Sequence, residues 1–334
     1  MYKDFKVVDC HGDIPVDVCV RRLNGEKNVL ERIHYEKLKN AGIKIQVGAL
    51  YIDEKDKPFK ALEMACKQMN CLLDDIAESE HFMLIKNKRD LEEVLSGDKI
   101  GIIVDMEGGE PIEGGIDLLR MFFKLGVRIF GLTWNHRNKL ADGAYETDSH
   151  SGLTSYGKEV LKECNNLGII VDISHLSGSC IDDLLENYEG IVIASHCSTK
   201  AMNDVPRNIT DEQISLLCEK GGMIGIPSYP YILSKERPSI STAVEHYVHL
   251  TNLVGCEKVG IGGDFIDFFQ VLIREGLVGN EWILPEDEAT IGYKSAADIP
   301  MLLKKMEEKG FEENQIKKIA GENWIEIFKK YLPD

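Results

Sequence analysis

The chain is poor in several things, and each absence closes off a class of function. No stretch of its 334 residues approaches the ~18 uninterrupted apolar residues of a membrane span. Basic residues are scarce: 39 Lys and Arg stand against 56 Asp and Glu, a formal charge of -17. A nucleic-acid partner would recruit a Lys/Arg surface, so none is expected, and the acidity reads as solubility. No CxxC pair exists among the nine cysteines, an odd number scattered through apparent helices and strands. Reduced, mostly buried thiols suit that pattern better than a disulfide framework. No GxGxxG opens a helix, which argues against an open dinucleotide-binding sheet. No strand ends on a lysine placed for Schiff-base chemistry, so a metal-free aldolase-type enzyme lacks support. Linkers and low-complexity tracts are missing too, and residues 1–334 are expected to form one domain.

What is present is a repeat of apolar runs. Hydrophobic residues make up 43% and charged residues 28%, enough apolar material for a large core. β-Branched runs recur at 7–9, 43–52, 99–106, 127–134, 168–174, 190–195, 221–227 and 258–263. Amphipathic helical patterns such as GIDLLRMFFKLG and DEQISLLCEKG separate most of them, and several end on glycine. Near-continuous apolar strands alternating with helices imply a parallel sheet covered on both faces. About eight such units favour a closed (β/α)8 TIM-like barrel, and the C-terminal ADIPMLLKK…KKYL reads as two closing helices. Two stretches break the repeat, 135–152 and the segment after Asp264, and long loops there are where substrate contacts are expected.

The runs end on chemistry. His11 and Asp13 follow FKVVD, Glu107 follows KIGIIVDM, His175 follows GIIVDIS, His196 follows GIVIAS and Asp264 follows KVGIGG. In a barrel those ends face one pocket, so residues distant in sequence would gather into a site for two divalent cations. His11 and Asp13 at i, i+2 would share one strand face. Two glycines after Glu107 allow a sharp turn, and its two carboxylate oxygens can bridge two metals; the bland alternative is a solvated strand-end acid. His175 and His196 end neighbouring strands joined by a short helix, which suits a shared metal. Arg207 precedes a helix expected to be capped by Thr210; it is either a clamp for a substrate carboxylate or a surface arginine pairing with Asp204 or Asp211. Tyr231 is a second candidate substrate contact. Asp264 is the natural general base and acid, with Asp267 as competitor in the following loop. Cys10 reads as a core thiol, and His34, His81, His150, His246 and His249 as surface or packing residues.

Taken together, HxD, EGG, the SHLS and ASH strand ends, RN before a helix and GIGGDF resemble the membrane (renal) dipeptidase family, the M19 metallopeptidases of the amidohydrolase superfamily. The likeness runs from about residue 6 to GENWIEIF. It implies a (β/α)8 barrel, two Zn2+ per subunit, a homodimer, and hydrolysis of dipeptides with tolerance of a C-terminal D-residue. Carried over by motif, His11 and Asp13 hold one zinc, His175 and His196 the other, and Glu107 bridges them. Arg207 binds the substrate carboxylate and Asp264 carries the proton. The family's histidine after the fourth strand is Trp134 here; His136, two residues on, would share its strand face and take over stabilisation of the transition state. HGD replaces the commoner HND. The N-terminal MYKDFKVVDCHGD leaves no room for a secretory segment before its first strand, so the membrane part of the family name is not expected to transfer and a cytoplasmic location is. A lactonase or N-acyl-amino-acid deacylase on the same site is the rival enzyme reading, and a silent metal-binding barrel the rival of another class.

Overall fold

The computed structural model describes residues 2, 4–149, 151–278 and 288–334. Nine strands form one parallel sheet: β1 Val7–Asp9, β2 Ile43–Tyr51, β3 Phe82–Leu84, β4 Ile100–Glu107, β5 Val127–Gly131, β6 Ile170–Asp172, β7 Val192–Ile193, β8 Ile224–Ile226 and β9 Val259–Ile261. Eight of them run β7-β6-β5-β4-β2-β1-β9-β8, and a bridge between Ala194 and Ile224 joins the two ends of that order. The result is the expected (β/α)8 TIM-like barrel. The short β3 was not legible in the sequence: its three residues pair only with the first residues of β4, off the ring.

Propensity and capping explain the helices between strands. Thr154 caps Ser155–Leu167, whose C-terminus stops at Gly168 in the left-handed region at φ 73°. Thr210 caps Asp211–Glu219 as expected, and Gln213 completes a reciprocal capping box. The expected two closing helices are Ile299–Lys309 and a broken continuation through Glu313–Lys317 and Asn323–Tyr331. From that last helix Trp324 is fully buried and donates its indole N–H to Ile261 O (3.0 Å), joining an apolar cluster with Val8, Cys10, Ile45, Ile103 and Met223. Cys10 is therefore a core thiol.

Register sets the height of the functional residues. Tyr51 pairs with Glu107, Glu107 with Gly131, Gly131 with Asp172 and Asp172 with Ile193. His175 and His196 each lie three residues past that rung, so they leave neighbouring strands at one level. Along β4, Ile103, Asp105 and Glu107 share a face, grading from apolar floor to acidic rim.

Three strands end sooner than their apolar runs suggest. β6 and β7 stop at Asp172 and Ile193 because the Asp172 carboxylate accepts from the backbone N–H groups of Ser174 and Ser195 (3.0 Å each), replacing ladder bonds. β5 stops at Gly131, and that has a consequence for His136 below. Among the described residues no helix is long and apolar enough to cross a membrane.

The turns after β7 and β9 are held by close backbone approach. A Cβ on Gly262 would lie 1.8 Å from Ser195 O, and one on Gly225 2.1 Å from the same oxygen. Gly262→Ala is therefore expected to lower stability by about 1–3 kcal/mol or more, read as a fall in the urea midpoint. An unchanged midpoint would contradict this packing.

Candidate metal centre

The structure brings seven of the nine sequence-nominated residues round one centre. A cavity of about 480 Å³ at the C-terminal mouth of the barrel is lined by Asp13, Glu107, His175, Arg207, Tyr231 and Asp264, among others. His11 and His196 lie just beneath, each 1% exposed, with their rings stacked at 3.7 Å. All three imidazoles converge on a single atom: Glu107 Oε1 is 2.8 Å from His175 Nε2 and 3.6 Å from the Nε2 atoms of His11 and His196. Tyr231 stands at the rim, 55% exposed, its hydroxyl 3.0 Å from Glu288.

His136 is not part of this group. The chain leaves β5 at Gly131, so strand alternation no longer governs residues 134–136. His136 turns outward, 54% exposed along its side chain and 3.7 Å from Glu146. Asn135 and Trp134 face the cavity instead. The expectation that His136 replaces the displaced histidine is corrected accordingly. Asp267 begins the helix Asp267–Arg274, pairs with Lys37 (2.8 Å) and does not line the cavity. Of the remaining histidines, His34 pairs with Asp17, His81 with Glu31, His246 with Ser198 and His249 with Asp211. His150 lies outside the described residues.

Sequence reasoning missed the groups that aim the ligand atoms. His175 Nδ1 donates to Asn135 Oδ1 (2.8 Å). His196 Nδ1 donates to Ser195 Oγ (2.7 Å), and Ser195 in turn donates to Asp172. Both imidazoles are thereby fixed with their protons on Nδ1 and their lone pairs on Nε2. Those two Nε2 atoms face each other at 2.9 Å, with the Glu107 oxygen beside them. Three lone pairs aimed at one point repel each other unless positive charge, a proton or a cation, sits among them. Buried Asp13 Oδ1 also lacks a hydrogen-bond partner, a further mark of a ligand atom turned towards an ion. The residues fit divalent cations. Ligand-distance clusters form at His11–Glu107–His196 and at His11–Asp13–Asp264, so Asp264 stands close enough to touch an ion as well as a substrate.

Burial dominates the electrostatics. It pushes Asp13 up to about 7 against the pull of His11, and Asp9 up to about 6 despite bonds from Gly263 and Gln46. Burial also raises Glu107 well above the carboxylate range, reinforced by Asp13 and Asp264. The same burial lowers His175 and His196, aided by Arg207 and His11, and keeps them neutral as ligands must be. His11 moves the other way: burial alone would lower it, but Glu107 and Asp105 hold it up. Arg207 is 8% exposed and makes its contacts with His196 O (3.4 Å) and Cys197 Sγ (3.8 Å), not with Asp204 or Asp211. Its cation is therefore open to the cavity. Backbone strain collects here as well: of three non-glycine residues with positive φ among those described, two are His175 (74°) and Asp264 (49°).

A model of the membrane dipeptidase family, peptidase family M19, matches residues 1–276. The chain belongs to this family. Mouse (Mus musculus) Dipeptidase 3 is 24% identical over 99% of this chain, which spans 65% of the mouse protein's length. An uncharacterized dipeptidase of Schizosaccharomyces pombe is 31% identical over 69% of this chain and 53% of its own. The fold is shared with a Rhodobacter sphaeroides metallopeptidase liganded with a phosphinate mimic of the dipeptide L-Ala-D-Ala (TM-score 0.83, 23% identity, 98% and 99% of the two chains). It is shared also with an amidohydrolase of Pseudomonas aeruginosa (TM-score 0.81, 23% identity, 99% and 98%). A larger cleft of about 1110 Å³ opens at the opposite end of the barrel, lined by residues that precede the strands, among them Lys6, Met223 and Lys258. It contains none of the nominated site residues.

Freeing His175 should be felt as lost metal affinity. Asn135→Ala is expected to weaken binding of a divalent cation about 10–100-fold, measured by competition with a chromophoric chelator; unchanged affinity would remove Asn135 from this role.

Proposed function

We propose that the chain is a metal-dependent dipeptidase that holds two Zn2+ ions and tolerates a D-residue at the substrate's C-terminal position. The observation that carries this reading is the convergence of His11, His175 and His196 on Glu107, with Arg207 and Asp264 in the same cavity. Membership of the dipeptidase family supports the substrate class, and the L-Ala-D-Ala mimic in the Rhodobacter protein supports the stereochemistry.

His11 and Asp13 would hold one cation, His175 and His196 the other, and Glu107 both. Divalent cations held there would polarise the scissile carbonyl and make water a nucleophile near neutral pH. The protein's own groups do the rest. Arg207 pairs with the substrate's free carboxylate and sets the peptide bond over the centre. Asp264, whose pKa burial raises against the pull of His11 and Arg207, accepts the proton of the attacking water and returns it to the leaving amine. Tyr231 borders the carboxylate end from the rim. All described elements attach to one ring or its flanking helices, which supports reading residues 1–334 as one domain. The family likeness also carries the reading of a homodimer, and the nine free, mostly buried cysteines support a cytoplasmic location.

The zinc-loaded protein is expected to cleave L-Ala-D-Ala and to leave its C-terminal amide largely uncut, because the amide offers Arg207 no charge. Equal cleavage of both would overturn the clamp, and no cleavage of either would overturn the dipeptidase reading. Asp264→Asn is expected to lower kcat by roughly 10²–10⁴-fold while its metal content stays that of the parent. Full activity in that variant would dismiss the proton role.

A further inference from the structure

The cavity has two unlike ends. In the ring of eight, β7 and β2 are four strands apart and therefore face each other across the barrel. Arg207 stands over the end of β7, against His196 O and Cys197 Sγ. Tyr51 closes β2 on the far side, level with Glu107. A dipeptide whose carboxylate lies on Arg207 and whose peptide bond lies over Glu107 must send its N-terminal residue towards Tyr51.

That far side is aromatic. Tyr51 meets Trp134 edge-on at 5.4 Å between centroids, and Trp134 leans on His175 at 5.7 Å. Ile266 and Phe269 line the same cavity, and together with Tyr51 they pack into one apolar cluster with Val16, Phe268 and Leu272. The wall is braced from behind. The Lys57 ammonium lies 5.0 Å above the Trp134 ring and 5.8 Å above that of Tyr51, and is itself 3.7 Å from Glu110. Apart from the carboxylates Asp13, Glu107 and Asp264, the described residues lining this side carry no charge.

We propose that Tyr51, Trp134, Ile266 and Phe269 form the recognition wall for the N-terminal side chain, and that the enzyme selects dipeptides beginning with an aromatic or large aliphatic residue. The inference rests on the dipeptidase reading above and names the substrate class of that site. An acidic N-terminal side chain would lose water against this wall and meet only other carboxylates, so it is disfavoured. A large apolar one buries itself against ring faces, an advantage of roughly tenfold to a hundredfold over glycine.

The test compares kcat/KM of the zinc-loaded protein for Phe-D-Ala, Leu-D-Ala, Gly-D-Ala and Asp-D-Ala. Alongside it, calorimetry gives the Kd of two phosphinate dipeptide mimics that carry a benzyl group or hydrogen at the N-terminal position. Phe and Leu should exceed Gly by at least tenfold, Asp should fall below Gly, and the benzyl mimic should bind at least tenfold tighter. Trp134→Ala should shrink the Phe/Gly ratio about tenfold in both assays, and Trp134→Phe should restore most of it. Turnover with a flat or Gly-favouring profile, or a ratio untouched in Trp134→Ala, overturns the aromatic wall and leaves the dipeptidase reading standing. No turnover of any of the four overturns both.

Discussion

Two imidazole nitrogens and a carboxylate oxygen, each with its lone pair pointed at the others, sit within 2.8–3.6 Å in the mouth of this barrel. Positive charge reconciles them, as a proton on Glu107 or as a cation shared by all three. Asn135 holds the only ring proton of His175 on the far side, and Ser195, committed to Asp172, does the same for His196. Such an arrangement is unfavourable in a water-poor pocket until positive charge enters it, and much of the surrounding structure exists to maintain it. Left-handed backbone at His175 and Asp264, backbone packed onto Ser195 O by Gly225 and Gly262, and carboxyls pushed up by burial are all costs carried at one place. The barrel meets them through an apolar floor and a closed ring of strands.

The same constraint divides the cavity into working regions. Donor atoms occupy the floor, the Arg207 cation stands at one side with Tyr229 and Tyr231, and the Tyr51–Trp134 pair stands at the other. A ligand with one carboxylate, one amide and one apolar side chain matches that sequence of surfaces. A tripeptide poised for cleavage at its first bond would hold its carboxylate one residue away from Arg207, and one poised for cleavage at its last bond would have to run its extra residue into the Tyr51–Trp134 side, so the proposed selectivity for two residues follows from both ends of the cavity.

Much of this was written in the sequence because barrel strands announce themselves as apolar runs and their ligands as the first polar residues after them. His11, Asp13, Glu107, His175, His196 and Asp264 were each found that way, and Arg207 from its place ahead of a capped helix. Where the rule failed, the cause was local. β5 ends at Gly131, and beyond it no periodicity says which side chain faces inward: strand alternation carried past that end points to His136, while Asn135 and Trp134 line the cavity. β6 and β7 end early because Asp172 takes backbone bonds that a ladder would have used, a role invisible in the string VDIS. Asp105 was findable, two residues before Glu107 and on the same face; Ser195 and Asn135 had no signal beyond adjacency.

Zinc-soaked crystals, with anomalous difference maps recorded at the zinc edge, address the central claim most directly. Two peaks are predicted, one bounded by His11, Asp13 and Glu107 and the other by Glu107, His175 and His196. No peak at Glu107, or a single ion that leaves the facing nitrogens of His175 and His196 unliganded, would contradict the account.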